Sequence, residues 1–166
     1  QSAIKIPSFE IANIELLRFA AENFDTIFAS VGTATEEEIL EAKEILPDET
    51  IFMHCVSSYP CDYDQINLPR IEKLKEIGLK VGFSDHTSGI YSSVLALRYK
   101  LEAIEKHFTT DHELPGRDNK FAILPEEMRE LSKFIGLQTS VYTDHGLSYQ
   151  ECEQEARDVY RGRFNG

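Results

Sequence analysis

Residues 80–99, KVGFSDHTSGIYSSVLALRY, set a short apolar run directly ahead of Ser84, Asp85 and His86 and follow it with a helix-like stretch. An apolar strand that ends in polar side chains and turns into a helix is one βα unit, and the same arrangement recurs along the chain. IKIPS (4–8) precedes NIELLRFAAENF, with Asn13 as N-cap and Ile14, Leu16, Leu17 and Ala20 at helical spacing. TIFASVG (26–32) precedes EEILEAKEIL, where Thr35 and Glu38 form a capping-box pattern. IFMHCVS (51–57) leads through a longer loop to LPRIEKLKEIG, with Pro69 near the helix start and Gly78 at its end. AIEKHF (103–108) leads through a long polar loop to LPEEMRELSKFI, with Pro125 in the first turn.

Strand-then-helix units in succession predict an α/β fold with parallel strands and right-handed crossovers. The strand runs are nearly continuous in apolar residues, so both sheet faces are expected to be covered. An open doubly wound sheet and part of an eight-stranded barrel both fit. No GxGxxG or GxxxxGK[ST] follows any strand, which weighs against the nucleotide-binding versions. The last segment, SYQECEQEARDVYRGRF (148–164), reads as a charged helix outside the main body or at an assembly contact.

At 166 residues and 42% hydrophobic, the chain can bury one sizeable core. The expected division is an α/β body over 1–137 and a helical extension over 138–166. A formal charge of −12 disfavours nucleic acid and anionic membrane as partners, so an anionic ligand needs a local cluster of donors. The three cysteines, Cys55, Cys61 and Cys152, lack disulfide-scaffold spacing, which points to a reducing, cytoplasmic setting. No apolar run approaches membrane-spanning length. The chain opens QSAIKIP without methionine, which suggests numbering that begins inside a longer parent.

In parallel α/β folds, ligands bind at the carboxyl ends of the strands, and each run here leaves polar groups there. The first carries Lys5, Ser8 and Glu10; the second, Ser30; the third, His54, Ser57, Ser58 and Tyr59. The fourth carries Ser84, Asp85 and His86, and the fifth Glu105, Lys106 and His107. Two histidines on neighbouring strands can share a divalent metal and leave positions open to substrate oxygens or water. Lysine, serines and backbone amides beside them suit a phosphate, and Glu10 is placed to handle a proton. Taken singly, each of these residues has a structural reading as a cap, a turn former or a buried histidine. Cys55 reads as a small buried hydrophobe.

KIPSFEIANIELL, ASVGTATEEEI, HCVSSYPCDYDQINL, VGFSDHTSGI, IEKHFTTD and LPGRDNKFAILPEEMREL resemble, in order and spacing, the C-terminal part of the catalytic barrel of the N-acetylneuraminate (sialic acid) synthase family. That family includes legionaminic and pseudaminic acid synthases and spore coat polysaccharide synthase-like proteins. The resemblance implies the last five βα units of a (β/α)8 TIM barrel, a partial barrel that lacks the family's first three units and its antifreeze-like domain. It implies condensation of phosphoenolpyruvate with an N-acyl amino sugar of the N-acetylmannosamine type, with manganese or magnesium as cofactor. His86 and His107 would be the metal ligands, and Glu10 the catalytic carboxylate. Lys5, Ser8, Ser30 and Ser84 would hold the phosphate, Ser57 and Tyr59 would lie against the same substrate, Asp118 would hold the sugar, and Glu105 belongs to the same rim. A homo-oligomer, a dimer, is the expected assembly. The alternative is a truncated, non-catalytic member that binds a sugar phosphate or serves as an assembly partner. Three departures from family strings fall near the site: Ser57 stands where some members carry asparagine, ASVGTAT replaces the commoner STGMAT and Arg117 replaces a usual proline.

Overall fold

The computed structural model describes residues 2–163. Five strands, β1 (Ala3–Ile6), β2 (Thr26–Ser30), β3 (Ile51–His54), β4 (Lys80–Asp85) and β5 (Ile104–Lys106), pair in sequence order, and every pairing is parallel. Helices α1 (Ile14–Asn23), α2 (Glu36–Ile45), α3 (Arg70–Glu76), α4 (Tyr91–Ala96) and α5 (Pro125–Val141) follow the five strands in turn.

Local signals set the helix ends. Asn13 caps α1 by accepting from the Leu16 amide at 3.2 Å. Thr35 and Glu38 close a reciprocal capping box at α2. Gly78, at φ +85°, follows the last turn of α3, where a side chain would be strained. Pro125 opens α5, whose preceding amide, on Leu124, donates to Glu127 at 2.9 Å.

Strand alternation divides the sheet into two faces. Ile6, Ile27, Ala29, Phe52, Val81 and Phe83 point outward and join Leu17, Ala20, Ile39, Ala42, Ile71 and Leu74 of the helices in one buried core. Lys5, Phe28, Ser30, Met53, Gly82, Ser84 and Glu105 alternate with them on the inner face. There the expectation of two covered faces is corrected: Lys5 is exposed and Phe28 half-buried, because the strands curl around a trough. The curvature has a direct witness. Lys5 on β1 and Glu105 on β5 stand four strand spacings apart, about 19 Å along a flat sheet, yet their charged ends meet at 3.1 Å. The strands therefore curl into an open half-barrel, with β1 and β5 as its edges.

Two segments differ from the sequence reading. β1 stops at Ile6, and Ser8 begins a short 3-10 turn, Ser8–Glu10, because Pro7 has no amide to continue the ladder. The charged C-terminal segment is a 3-10 turn, Glu151–Glu153, followed by the short α6 (Gln154–Tyr160), instead of one helix. It buries no residue, so no packed face extends the helix; Arg157 lies over the Tyr149 ring at 4.4 Å. α5 runs through the boundary drawn at 137, and Phe164, Asn165 and Gly166 of the expected extension, like Gln1, lie outside the described residues. No described helix is long and apolar enough to cross a membrane.

Candidate active site

The half-barrel gathers its polar side chains at the carboxyl ends of the strands. β4 ends at Asp85 and β5 at Lys106, so His86 and His107 are the first residues beyond the sheet on adjacent strands. Their rings stand 5.4 Å apart, centroid to centroid, at an angle of 71°. Tyr59, in the loop after β3, lies over His86 at 4.3 Å and edge-on to His107 at 5.9 Å. Phe121 supports the other side of His107 at 5.0 Å.

Each imidazole is oriented through Nδ1. His86 Nδ1–H donates to the Val56 carbonyl at 2.7 Å, which leaves Nε2 as the lone-pair nitrogen, met by the Ser84 hydroxyl at 3.2 Å. His107 Nδ1 lies 3.4 Å from Asp118 Oδ2. The long loop after β5 brings Asp118 there, because the Ile123 amide donates back to the His107 carbonyl at 2.8 Å and folds residues 109–122 over the rim. Burial holds His86 below the ordinary imidazole value, partly offset by the Val56 carbonyl, so it is neutral near pH 7. Burial also raises the Tyr59 phenol. Two rings with Nδ1 turned to an oxygen and Nε2 directed away from it are arranged as metal-binding imidazoles are. No cluster of three or more His, Cys, Asp or Glu side chains that could hold a metal ion occurs among the described residues. A divalent ion here would therefore take His86 and His107, and other oxygens would complete its shell.

Beside the histidines is a pocket of hydroxyls. The Gly32 amide donates to Ser8 Oγ at 3.1 Å, and Ser8 Oγ lies 3.2 Å from Cys55 Sγ. A Cβ at Gly32 would collide with Ser57 Oγ and come within 2.8 Å of both Ser8 Oγ and Cys55 Sγ, so only glycine lets these groups converge. Ser30 Oγ and Ser57 Oγ are buried without a hydrogen-bond partner. Buried hydroxyls are normally satisfied, so each of these two has capacity for a further acceptor. Lys5 supplies positive charge at the edge of the trough, paired with Glu105. A cavity of about 420 Å³ opens along this edge, between Lys5, Phe28, Met53, Glu105 and Met128. Glu10 closes the 3-10 turn after β1, and its carboxylate accepts from the Asn13 side chain at 2.7 Å.

The structure thus brings together Lys5 with Glu105, Ser8 with Ser57, and Ser84, His86, Tyr59, His107 and Asp118. Ser30 ends the strand that leads to Gly32. Three residues read as rim groups face the other way. His54 is fully buried on the helix side, stacked on Phe83 at 5.6 Å, with its ring Nε2–H donating to the Ile66 carbonyl at 2.9 Å. Asp85 and Lys106 form a buried ion pair at 3.3 Å beneath the rim. The pleat explains all three, since each is adjacent in sequence to an inward residue or to the exit loop. Gly32, the Val56 carbonyl and Phe121 were missed by sequence reasoning. Of these only Gly32 had a signal, as a glycine directly after a strand.

Comparison with known proteins agrees with this geometry. The pattern of the NeuB family matches residues 1–145. The N,N'-diacetyllegionaminic acid synthase of Legionella pneumophila is 38% identical over 141 residues, covering 80% of this chain and 40% of that protein. A pseudaminic acid synthase of Campylobacter jejuni is 34% identical over 167 residues, 98% of this chain and 49% of its own length. The crystal structure of the N-acetylneuraminic acid (sialic acid) synthetase from Leptospira borgpetersenii, solved with citrate, superposes with a TM-score of 0.83 at 35% identity, over 96% of this chain and 59% of that one. This chain spans about half the length of the relatives it matches. With a family pattern over most of its length and a fold that places the matched motifs on one rim, the chain belongs to the NeuB family.

Proposed function

We propose that this chain forms the metal- and phosphate-facing half of a synthase that condenses phosphoenolpyruvate with an N-acylated amino sugar aldehyde, yielding a nonulosonic acid and inorganic phosphate. The observation that carries this reading is the juxtaposition of two oriented imidazoles with a pocket of buried, unpartnered serine hydroxyls. Relatives named as legionaminic and pseudaminic acid synthases support the product class. His86 and His107 would hold manganese or magnesium, which would supply Lewis-acid polarisation of the sugar aldehyde.

The chain's own residues do the rest. Ser8, Ser30, Ser57 and Ser84 donate to the phosphate oxygens, and Lys5 leaves Glu105 to neutralise them. Tyr59 closes over the enolpyruvate and, with Asp118, fixes the sugar against it. The enol carbon attacks the aldehyde carbon, forming the new C–C bond as the carbonyl π pair moves to the aldehyde oxygen, which is protonated to the product hydroxyl, and leaving an oxocarbenium-like C2. Water adds at C2 while Glu10 takes its proton, and the C2–O bond to phosphate then breaks. Lysine and serine donors stabilise the charge on the departing phosphate. The active assembly is read as a cytoplasmic dimer.

The test is manganese-dependent phosphate release from phosphoenolpyruvate in the presence of N-acetylmannosamine and other N-acyl amino sugars, with His86→Ala as control. Sugar-dependent release that is lost in the variant supports the reading. Phosphoenolpyruvate binding without turnover across the sugar panel overturns it in favour of a non-catalytic binder.

A further inference from the structure

The two candidate ligand histidines share an unusual neighbour relation. His86 follows Asp85 and His107 follows Lys106, and Asp85 and Lys106 are cross-strand partners in the last rung of the β4–β5 ladder. Both side chains point away from the trough and are almost completely buried. Asp85 accepts from the Thr87 amide at 2.9 Å and the Thr87 hydroxyl at 2.8 Å, and its second oxygen accepts from Ser92 at 2.6 Å and Ser93 at 2.5 Å, both on α4. Lys106 Nζ lies 3.3 Å from that second oxygen and donates to the Thr87 carbonyl at 2.5 Å. Lys106 thus grips the residue before His86 and the residue after it, while its own backbone carries His107.

From this we infer that Asp85 and Lys106 are positioning residues: a clamp beneath the rim that sets the separation and angle of the His86 and His107 imidazoles. The inference rests on the reading of these histidines as the metal pair. An ion pair this deeply buried is a poor device for stability alone, because desolvation offsets most of the attraction. Here it sits at the one rung where a slip of either strand end would move a ring. Six contacts converge on one pair of side chains, and three of them involve Thr87, directly beyond His86.

The test replaces the pair together, Asp85→Asn with Lys106→Met, since a single substitution leaves a lone charge in the core and can prevent folding. Circular dichroism first sets a temperature at which the variant is folded. There, Mn2+ is titrated and followed by electron paramagnetic resonance, and the contact between the His86 and His107 ring protons is followed by the nuclear Overhauser effect without metal. The inference expects Mn2+ affinity to fall by about tenfold or more, as for other residues that orient metal ligands, and the ring–ring contact to weaken. A folded variant with a lower melting temperature but with affinity within about twofold and an intact ring–ring contact overturns it, because the pair is then merely structural. If the unsubstituted chain binds no Mn2+, or His86→Ala leaves binding intact, the metal reading fails separately. The ring–ring contact then decides: its loss in the double variant supports the clamp, and its persistence overturns it.

Discussion

His54 offers a quantitative check on which face of the sheet each histidine occupies. Its ring is fully buried against Phe83, its Nε2–H is spent on the Ile66 carbonyl, and Nδ1 has no partner. A proton added to Nδ1 would place a charge in the core with nothing to accept it, and burial accordingly pushes the pKa down to about 4. An unfolded histidine titrates near 6.5. Above pH 6.5 neither state takes up the proton; between 6.5 and 4 only the unfolded chain does; below 4 both do. Stability from this residue is therefore present at neutral pH and lost as the pH falls through that window. The gap between 6.5 and about 4, at 1.36 kcal/mol per pH unit, amounts to about 3 kcal/mol. The substitution His54→Gln removes the titration while leaving an amide N–H that can reach Ile66. Because the chain has no tryptophan, urea unfolding is followed by far-ultraviolet circular dichroism, from pH 7 to 4.5. The expected result is a shallower loss of stability in the variant, by about 2 kcal/mol over that range. Carboxylates and the other histidines contribute equally to both proteins and cancel in the difference. Parallel curves would refute the reasoning, as would a directly measured His54 pKa near 6.5.

The other predictions concern the trough. Ser30→Ala and Ser57→Ala should leave thermal stability unchanged or slightly raised, since neither hydroxyl has a partner to lose, while phosphoenolpyruvate affinity measured by calorimetry falls about tenfold for each lost charge-assisted bond. Gly32→Ala should destabilise the fold by about 1–3 kcal/mol in urea titrations, because the added methyl meets Ser8, Cys55 and Ser57 together. Lys5→Ala should cost less than about 1 kcal/mol of stability, since its pair with Glu105 is substantially exposed, yet it should weaken phosphate binding and flatten the salt dependence of that binding.

Much of this was legible in the sequence because the signals are local. Asn13, Thr35 with Glu38, Gly78 and Pro125 each mark a helix end by chemistry that operates within a few residues. The barrel type was carried by the ordered motifs, and the site residues by their place at strand ends. Face assignment was not legible at those ends. His54, Asp85 and Lys106 lie where strand becomes loop, and one residue decides whether a side chain enters the trough or the core. The contact of Asp118 with His107 depends on how a long loop folds back, which Ile123 determines from a distance in sequence. The C-terminal segment has a helical composition but no partner surface, and composition alone did not reveal that.

The opposition of faces at the end of β4 has a consequence for how variation here should be interpreted. Ser84, Asp85, His86 and Thr87 are four polar residues in a row, and all are buried. In a saturation mutagenesis experiment, their phenotypes should separate by parity of position. Changes at 84 and 86 should give well-expressed, inert protein, whereas changes at 85 and 87 should reduce the amount of folded protein first. A variant found at any of these positions in a natural population therefore needs an abundance measurement beside an activity measurement, because neither number alone says which side of the sheet has been damaged.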